Sequence, residues 1–325
     1  MRSEIRVAVV GAGSMGSNHI RVTQQTRGAR LAAVVDPDLE RARASVLSPS
    51  VEVVSSVDAL PEEIDAAIVA VPTTAHLQVA KELVRRGIHL LVEKPLAMSP
   101  SEAEDLVAAA HSAGVVLSVG HVERFNPAVF ELPRFVDDLI HLEATRVSPY
   151  TARVGDGVIA DLMIHDIDIA CALIPSRVVD VSGVTRAVKG PTEDIASVNM
   201  AFESGEVATF NASRLGQGKI RRIELTQTNC TVSADLLRQD ITITRMSQNE
   251  YISDDGHSLL RQVSVVETPF LETRGEPLVR QMEHFLYCIR GGHRPLVDGE
   301  AGVRAVVLAK RAADAVHMAS ARRRL

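Results

Sequence analysis

Val7-Ala8-Val9-Val10-Gly11-Ala12-Gly13-Ser14-Met15-Gly16 decides the fold. A short β-branched run, apolar at every position, is what a strand buried on both faces of a parallel sheet needs. The glycines that follow have the spacing GxGxxG. Gly11 permits a tight turn, Gly13 lets backbone approach a pyrophosphate, and Gly16 lets the following helix pack closely on the strand. A helix opening at Ser14 and Met15 offers unsatisfied N–H groups and the positive end of its dipole to phosphate. Such a loop alone is weak evidence, and an acid completes it. Asp36 ends the next apolar run, Ala32-Ala33-Val34-Val35. It is placed to accept hydrogen bonds from the adenosine ribose and to repel a 2′-phosphate, which favours NAD over NADP. Arg41 and Arg43 nearby are the one counter-signal.

Candidate strands at Ile5–Val10, Arg30–Val35, Val51–Val54, Ala66–Val71, His89–Glu93 and Val115–Gly120, most of them apolar throughout, alternate with helical patterns, clearest over Ala75–Arg86 and Ser99–Ser112. Six strands with helical crossovers make a doubly wound α/β Rossmann domain over residues 1–121. From 122 to 325 the pattern changes. One helix is expected over Val158–Leu173. Strands then follow at Val178–Thr185, Ile195–Phe202, Glu206–Ser213, Ile220–Gln227, Thr231–Ala234 and Gln239–Ile243. Consecutive strands without helices between them imply a mostly antiparallel sheet in an α+β domain. The polar stretch Ser247–Gly256 reads as a loop. Helices over Pro277–Arg290 and Gly299–Ser320 close the chain, the last able to pack back on the first domain.

A length of 325 residues suits two domains. The net charge of −6 and the absence of tryptophan argue against a nucleic-acid partner or an anionic membrane surface. Arg322-Arg323-Arg324 is a local exception, read as a solvated, frayed helix end. No apolar run approaches the length of a membrane span. Three widely spaced cysteines, Cys171, Cys230 and Cys288, argue against disulfides and thiolate metal sites and fit a cytoplasmic protein.

Ligands of doubly wound sheets bind at the carboxyl ends of the strands. Those ends carry Pro72 and Thr73 with His76 close by, then Glu93-Lys94-Pro95, then Gly120-His121. Strands four to six flank a nicotinamide, so Lys94 falls beside the site of hydride transfer, and Pro95 restricts the lysine backbone to extended conformations. A second constellation lies on the helix expected at Val158–Leu173. Asp161, His165 and Asp168 fall at i, i+4 and i+7, on one face of an otherwise mostly apolar helix. A structural pair in the core, a carboxylate–histidine metal site and a general-base histidine with carboxylate support all remain open. No further ligand cluster is apparent, so no metal is expected, and the general base suits a nicotinamide site best.

The glycine loop, Glu93-Lys94-Pro95, Asp161-x-x-x-His165 and Gly302-Val303-Arg304-Ala305-Val306 together resemble the family of glucose–fructose oxidoreductase and inositol dehydrogenase over essentially the whole chain. The resemblance implies a catalytic trio carried here by Lys94, Asp161 and His165. It also implies an open-faced antiparallel sheet in the second domain, used to form a homodimer or homotetramer. Gly120-His121-Val122-Glu123-Arg124-Phe125-Asn126-Pro127 and Asp161 to Ile169 are similar to the UDP-N-acetylglucosamine 3-dehydrogenase branch. On that resemblance, Pro72, Thr73, His76, Glu93, Lys94 and Arg124 join the glycine loop and Asp36 at the cofactor. His121, Arg124, Asn126 and Arg214 join the trio at a sugar or nucleotide-sugar substrate. Arg214, Lys219, Arg221 and Arg222 form a basic cluster able to pair with a substrate diphosphate, or else solvated sheet-edge charges. Two rivals stand: an inositol or free-sugar dehydrogenase, and a dinucleotide-binding sensor that does no chemistry. Retention of the whole trio argues against the sensor.

Overall fold

The computed structural model describes residues 4–151, 156–252 and 258–322. The chain forms two compact units. The first holds Met1–Phe125 and Gly275–Lys310, the second Asn126–Arg274 and Arg311–Leu325.

The first unit is built on six parallel strands: β1 (Ile5–Val10), β2 (Ala29–Val35), β3 (Glu52–Val54), β4 (Ala66–Val69), β5 (His89–Glu93) and β6 (Leu117–Gly120). Their order, β3-β2-β1-β4-β5-β6, reverses direction between β1 and β4, which opens a crevice at the carboxyl ends. Between the strands run α1 (Ser14–Gln25), α2 (Leu39–Ala44), α3 (Thr73–Arg85) and α4 (Pro100–Ser112). Successive strand residues feed opposite layers. Ala8 and Val10 pack with Leu83 of α3 and Leu106 of α4. Val7 and Val9 pack with Ile20 of α1. The α4 start has a local cause: the Ser99 hydroxyl accepts the Glu102 amide at 3.2 Å, and Pro100 occupies the first turn.

Two helices from the far end of the chain complete these layers. In α7 (Pro277–Gly291), Leu278, Met282, Phe285 and Leu286 recur at helical spacing and join the α1 layer. The helix starts with Pro277 and stops at Gly292, whose φ of +62° lies in the left-handed region that favours glycine. Ala301 and Val306, near the start of α8 (Gly299–Arg322), join the opposite layer. Residues Arg323 and Arg324 of the basic tail lie outside the described residues. Among the described residues, no helix is long and apolar enough to cross a membrane.

The second unit opens with α5 (Pro127–Glu131) and carries an eight-stranded sheet. Its strands are β7 (Leu139–Val147), β8 (Val178–Arg186), β9 (Ile195–Phe202), β10 (Val207–Ser213), β11 (Ile220–Gln227), β12 (Thr231–Asp235), β13 (Asp240–Ile252) and β14 (Ser258–Glu267), in the order β14-β13-β12-β11-β7-β10-β9-β8. All neighbours are antiparallel except β7 and β10. Two features depart from the sequence pattern. β7, which the sequence pattern does not mark as a strand, lies between β11 and β10. The segment read as a loop from Ser247 is instead strand as far as Ile252, and 253–257 lie outside the described residues. Ala196, Val198, Met200 and Phe202 of β9 are buried on one face. The other face carries polar pairs: Ser197 donates to Asn211 at 2.7 Å, and Thr209 to Asn199 at 2.9 Å.

The helix expected over Val158–Leu173 is not regular. Ile159–Met163 form a π-helical turn, with the Ile164 amide bonded to the Ile159 carbonyl, and α6 (Ile164–Leu173) follows.

Candidate active site

The glycine loop leaves β1 and enters α1. Gly11 has a φ of +97°, and a Cβ there would lie 2.6 Å from the Ala70 carbonyl oxygen, so only glycine fits. A Cβ on Gly16 would lie 1.8 Å from the Gly11 carbonyl oxygen: helix and loop touch here. Gly13 differs. A Cβ on it would meet nothing within 4 Å, and it begins α1 with no side-chain cap. Open space over Gly13, with uncapped amides behind exposed Ser14 and Met15, is a cradle that fits the phosphates of a dinucleotide.

Asp36 is 2 % exposed. Its carboxylate accepts the Ala12 amide at 2.7 Å, the Asp38 amide at 2.8 Å and the Arg41 guanidinium at 2.6 Å. Burial pushes this carboxyl up, but the two amides and Arg41 more than offset it and hold it below the usual carboxylate range. The anion is thus fixed directly behind the loop. Arg41, weighed above as a partner for a 2′-phosphate, lies against Asp36 instead.

At the ends of β4 to β6, Pro72 is exposed and Thr73, half-buried, begins α3. His76 is buried, with Nδ1 2.9 Å from the Pro95 carbonyl and Nε2 3.0 Å from the Val71 carbonyl. It ties the end of β4 to the turn that carries Lys94. A charged ring could donate to both carbonyls and a neutral ring to one. Burial lowers its pKa more than the carbonyls raise it.

Glu93, expected at the cofactor, is turned inward. One carboxylate oxygen lies 2.7 Å from His19 Nε2, and the other accepts the Lys94 amide at 3.2 Å. Burial pushes the Glu93 carboxyl up, and His19 and Lys94 outweigh this and hold it below the usual range. Gly120 of β6 packs against it so closely that a Cβ would lie 2.8 Å from Glu93 Cα. Glu93 therefore fixes the backbone of half-buried Lys94, whose peptide bond to Pro95 is cis. His19 was not singled out from the sequence. Its signal is its place on the buried stripe of α1 with Gly16, Ile20 and Thr23. His121, buried, follows β6. Arg124, half-buried, lies in a 3₁₀ turn over Val122–Phe125.

In the second unit, Asn126 has a structural task where a substrate contact was expected. Its side-chain oxygen accepts the Ala128 amide at the start of α5, and its nitrogen donates to the Leu236 carbonyl. The π turn also changes the acidic stripe. His165 and Asp168 belong to α6, whereas Asp161 lies in the wider turn, so the three do not share one regular α-helical face. Asp168 is buried, and Asp161 and His165 are half-buried. π turns are frequent at functional sites.

Asp166, off the expected stripe, receives Arg146 of β7 through Nε at 2.9 Å and Nη2 at 2.7 Å, and both side chains are almost fully buried. Asp161 lines a cavity of about 310 Å³ together with Arg214, Lys219 and Arg221. Arg214 is buried, donates to the Asp156 carbonyl and lies 3.8 Å from Asp194. Arg222 is separated from this group. It occupies the opposite face of β11, with Glu224 at 2.6 Å and Ser233 at 3.0 Å. Among the described residues, no cluster of His, Cys, Asp and Glu could hold a metal ion.

Residues 5–121 match an oxidoreductase family with an NAD-binding Rossmann fold, GFO/IDH/MocA, and residues 136–233 match the C-terminal domain of that family. The chain belongs to the GFO/IDH/MocA family. It is accordingly an NAD-binding oxidoreductase. This GFO/IDH/MocA protein is 31% identical over 315 residues to the UDP-N-acetylglucosamine 3-dehydrogenase of Acidithiobacillus ferrooxidans, covering 94% of this chain and 95% of that enzyme. A solved structure of that dehydrogenase matches with a TM-score of 0.85 at 30% identity, over 96% of this chain and 97% of that one. The scyllo-inositol 2-dehydrogenase (NAD(+)) of Bacillus subtilis is 29% identical over 320 residues, with 91% and 90% covered.

Proposed function

We propose that the protein is an NAD-dependent dehydrogenase of a sugar secondary hydroxyl, and that its substrate is a nucleotide sugar oxidised at C3, such as UDP-N-acetylglucosamine. The observation that carries this reading is the likeness to an enzyme of that activity at 31% identity over 94% of the chain. Lys94, Asp161 and His165 support it. His165 accepts the hydroxyl proton as general base, a contribution of about 10²–10⁴ in rate. The Lys94 ammonium donates to the same oxygen and stabilises its developing negative charge. Asp161 orients the imidazole or the sugar. NAD, when bound, would supply the hydride acceptor, with the open space at Gly13 to hold its phosphates and Asp36 to hold its ribose. Glu93, held by His19, fixes the backbone from which Lys94 projects.

Lys94→Ala and His165→Ala test the roles. Each is expected to lower turnover by roughly 10² or more, with NADH binding, followed by fluorescence titration, retained. Normal turnover in either variant overturns the assignment. The 29% likeness to an inositol dehydrogenase supports a second reading, a free-polyol substrate. Comparing myo- and scyllo-inositol with UDP-sugars in one assay separates the two.

A further inference from the structure

We infer that the cavity of the second unit is a diphosphate subsite, with Lys219 and Arg221 as the residues that hold the substrate's phosphates. This deepens the nucleotide-sugar reading and rests on it.

Among the cavity's described lining residues, three cations, Arg214, Lys219 and Arg221, face a single carboxylate, Asp161. A neutral polyol gains little from such a wall, whereas an anion of more than one charge is matched by it.

The sheet shows that the arrangement is directional. Strand residues alternate faces, so Arg221, the second residue of β11, projects to one side, where Lys219 lines the same cavity from just before the strand, while Arg222 projects to the other and pairs with Glu224. Arg221 also lies directly across from Arg146 on β7. Like charges in that relation destabilise a sheet. Asp166 holds Arg146 from the helix side through two guanidinium nitrogens, and Arg221 lines the cavity. Two arginines thus occupy paired positions on adjacent strands, one held by Asp166 and the other lining the cavity.

Asp161 repels phosphate and accepts hydroxyls, so a sugar hydroxyl pairs with Asp161 and the phosphate oxygens with Lys219 and Arg221. Arg221 offers a planar fork to phosphate oxygens and Lys219 a mobile point charge, a complementary pair for two linked phosphates. Arg214, already donating to the Asp156 carbonyl and near Asp194, serves as the rear wall. A volume of about 310 Å³ is at the small end of ligand pockets, enough for a sugar ring and its phosphates.

The test is calorimetric titration of the full-length protein with UDP, with NADH saturating so that UDP cannot occupy the dinucleotide site. Wild type, Lys219→Gln, Arg221→Gln and Arg222→Gln are compared. Loss of one charged hydrogen-bond donor is expected to weaken UDP about 10–100-fold in the Lys219 and Arg221 variants, with Arg222→Gln as wild type. No UDP binding by wild type overturns the inference, as does equal affinity in all four proteins or an equal loss in Arg222→Gln. Because Arg221 adjoins the buried Arg146–Asp166 pair, exposed Lys219 provides a variant that leaves the core untouched. UDP bound as described, with no oxidation of any UDP-sugar, would sustain the subsite and refute the C3-dehydrogenase reading. Oxidation of UDP-N-acetylglucosamine with an unchanged KM in Lys219→Gln and Arg221→Gln would do the reverse.

Discussion

Glu93→Gln exchanges a buried carboxylate for an amide of nearly the same shape, and its consequences can be worked from two contacts. The carboxylate lies 2.7 Å from His19 Nε2 and accepts the Lys94 amide at 3.2 Å. A hydrogen bond to a charged group contributes about 1.5–3 kcal/mol and a neutral one about 0.5–1.5 kcal/mol. Neutralising both therefore removes about 2 kcal/mol. The glutamine oxygen must stay on the Lys94 amide, which turns its NH₂ toward His19 and forces the ring to accept. A loss of that size lowers the melting temperature of a unit of this size by about 4–8 °C. Acid sensitivity supplies an independent check. The folded-state pKa of Glu93 is depressed, so folding favours the anion. Its contribution is complete above the unfolded value, about 4.3, and is lost as pH falls through the folded value. The stability gap between wild type and Glu93→Gln is therefore full at neutral pH and narrows in acid. Small displacements of a catalytic group cost up to about 10²-fold in rate, so kcat is expected to fall more than KM rises. Thermal unfolding from neutral to acid pH, with steady-state kinetics at neutral pH, makes the test. Equal melting temperatures at neutral pH, or a gap that does not change with pH, would refute the reasoning.

Two further perturbations test other parts of the account. Arg146→Met leaves Asp166 buried without its guanidinium and is expected to destabilise by about 3–5 kcal/mol, measured by urea unfolding; a loss under about 1 kcal/mol would show that the pair is not structurally important. Asp36→Ala removes the acceptor of the Ala12 and Asp38 amides and the partner of Arg41, so NAD is expected to bind about tenfold or more weakly, with discrimination against NADP reduced; unchanged affinity for both dinucleotides would remove Asp36 from the cofactor site.

The first unit was legible because most of its strands centre on short apolar runs, as in Val7–Val10 and Leu31–Val35. Val7 to Val10 feed both core layers, which a parallel sheet requires and a surface strand does not. The second sheet was legible where inward positions are apolar, as in β9. It was missed at β7, where Arg146 occupies an inward position and Asp166, twenty residues on, helps make its burial tolerable. Long-range pairing of that kind leaves no local trace. The π turn at Asp161 is hidden for the same reason, since one extra residue in a turn does not alter composition. Glu93 was marked by its position at a strand end, but its inward orientation depends on His19 in a different element. Arg221 and Arg222 were grouped as neighbours in sequence, and strand alternation puts them on opposite faces.

The proposed reaction is oxidation of a nucleotide sugar with reduction of NAD⁺. Purified protein supplied with NAD⁺ and UDP-N-acetylglucosamine, followed by absorbance of the reduced cofactor and mass analysis of the sugar, tests it most directly. NADH is expected to form in step with a UDP-sugar two hydrogens lighter and carrying a carbonyl at C3. Binding of NAD without reduction in the presence of this or any other UDP-sugar would contradict it.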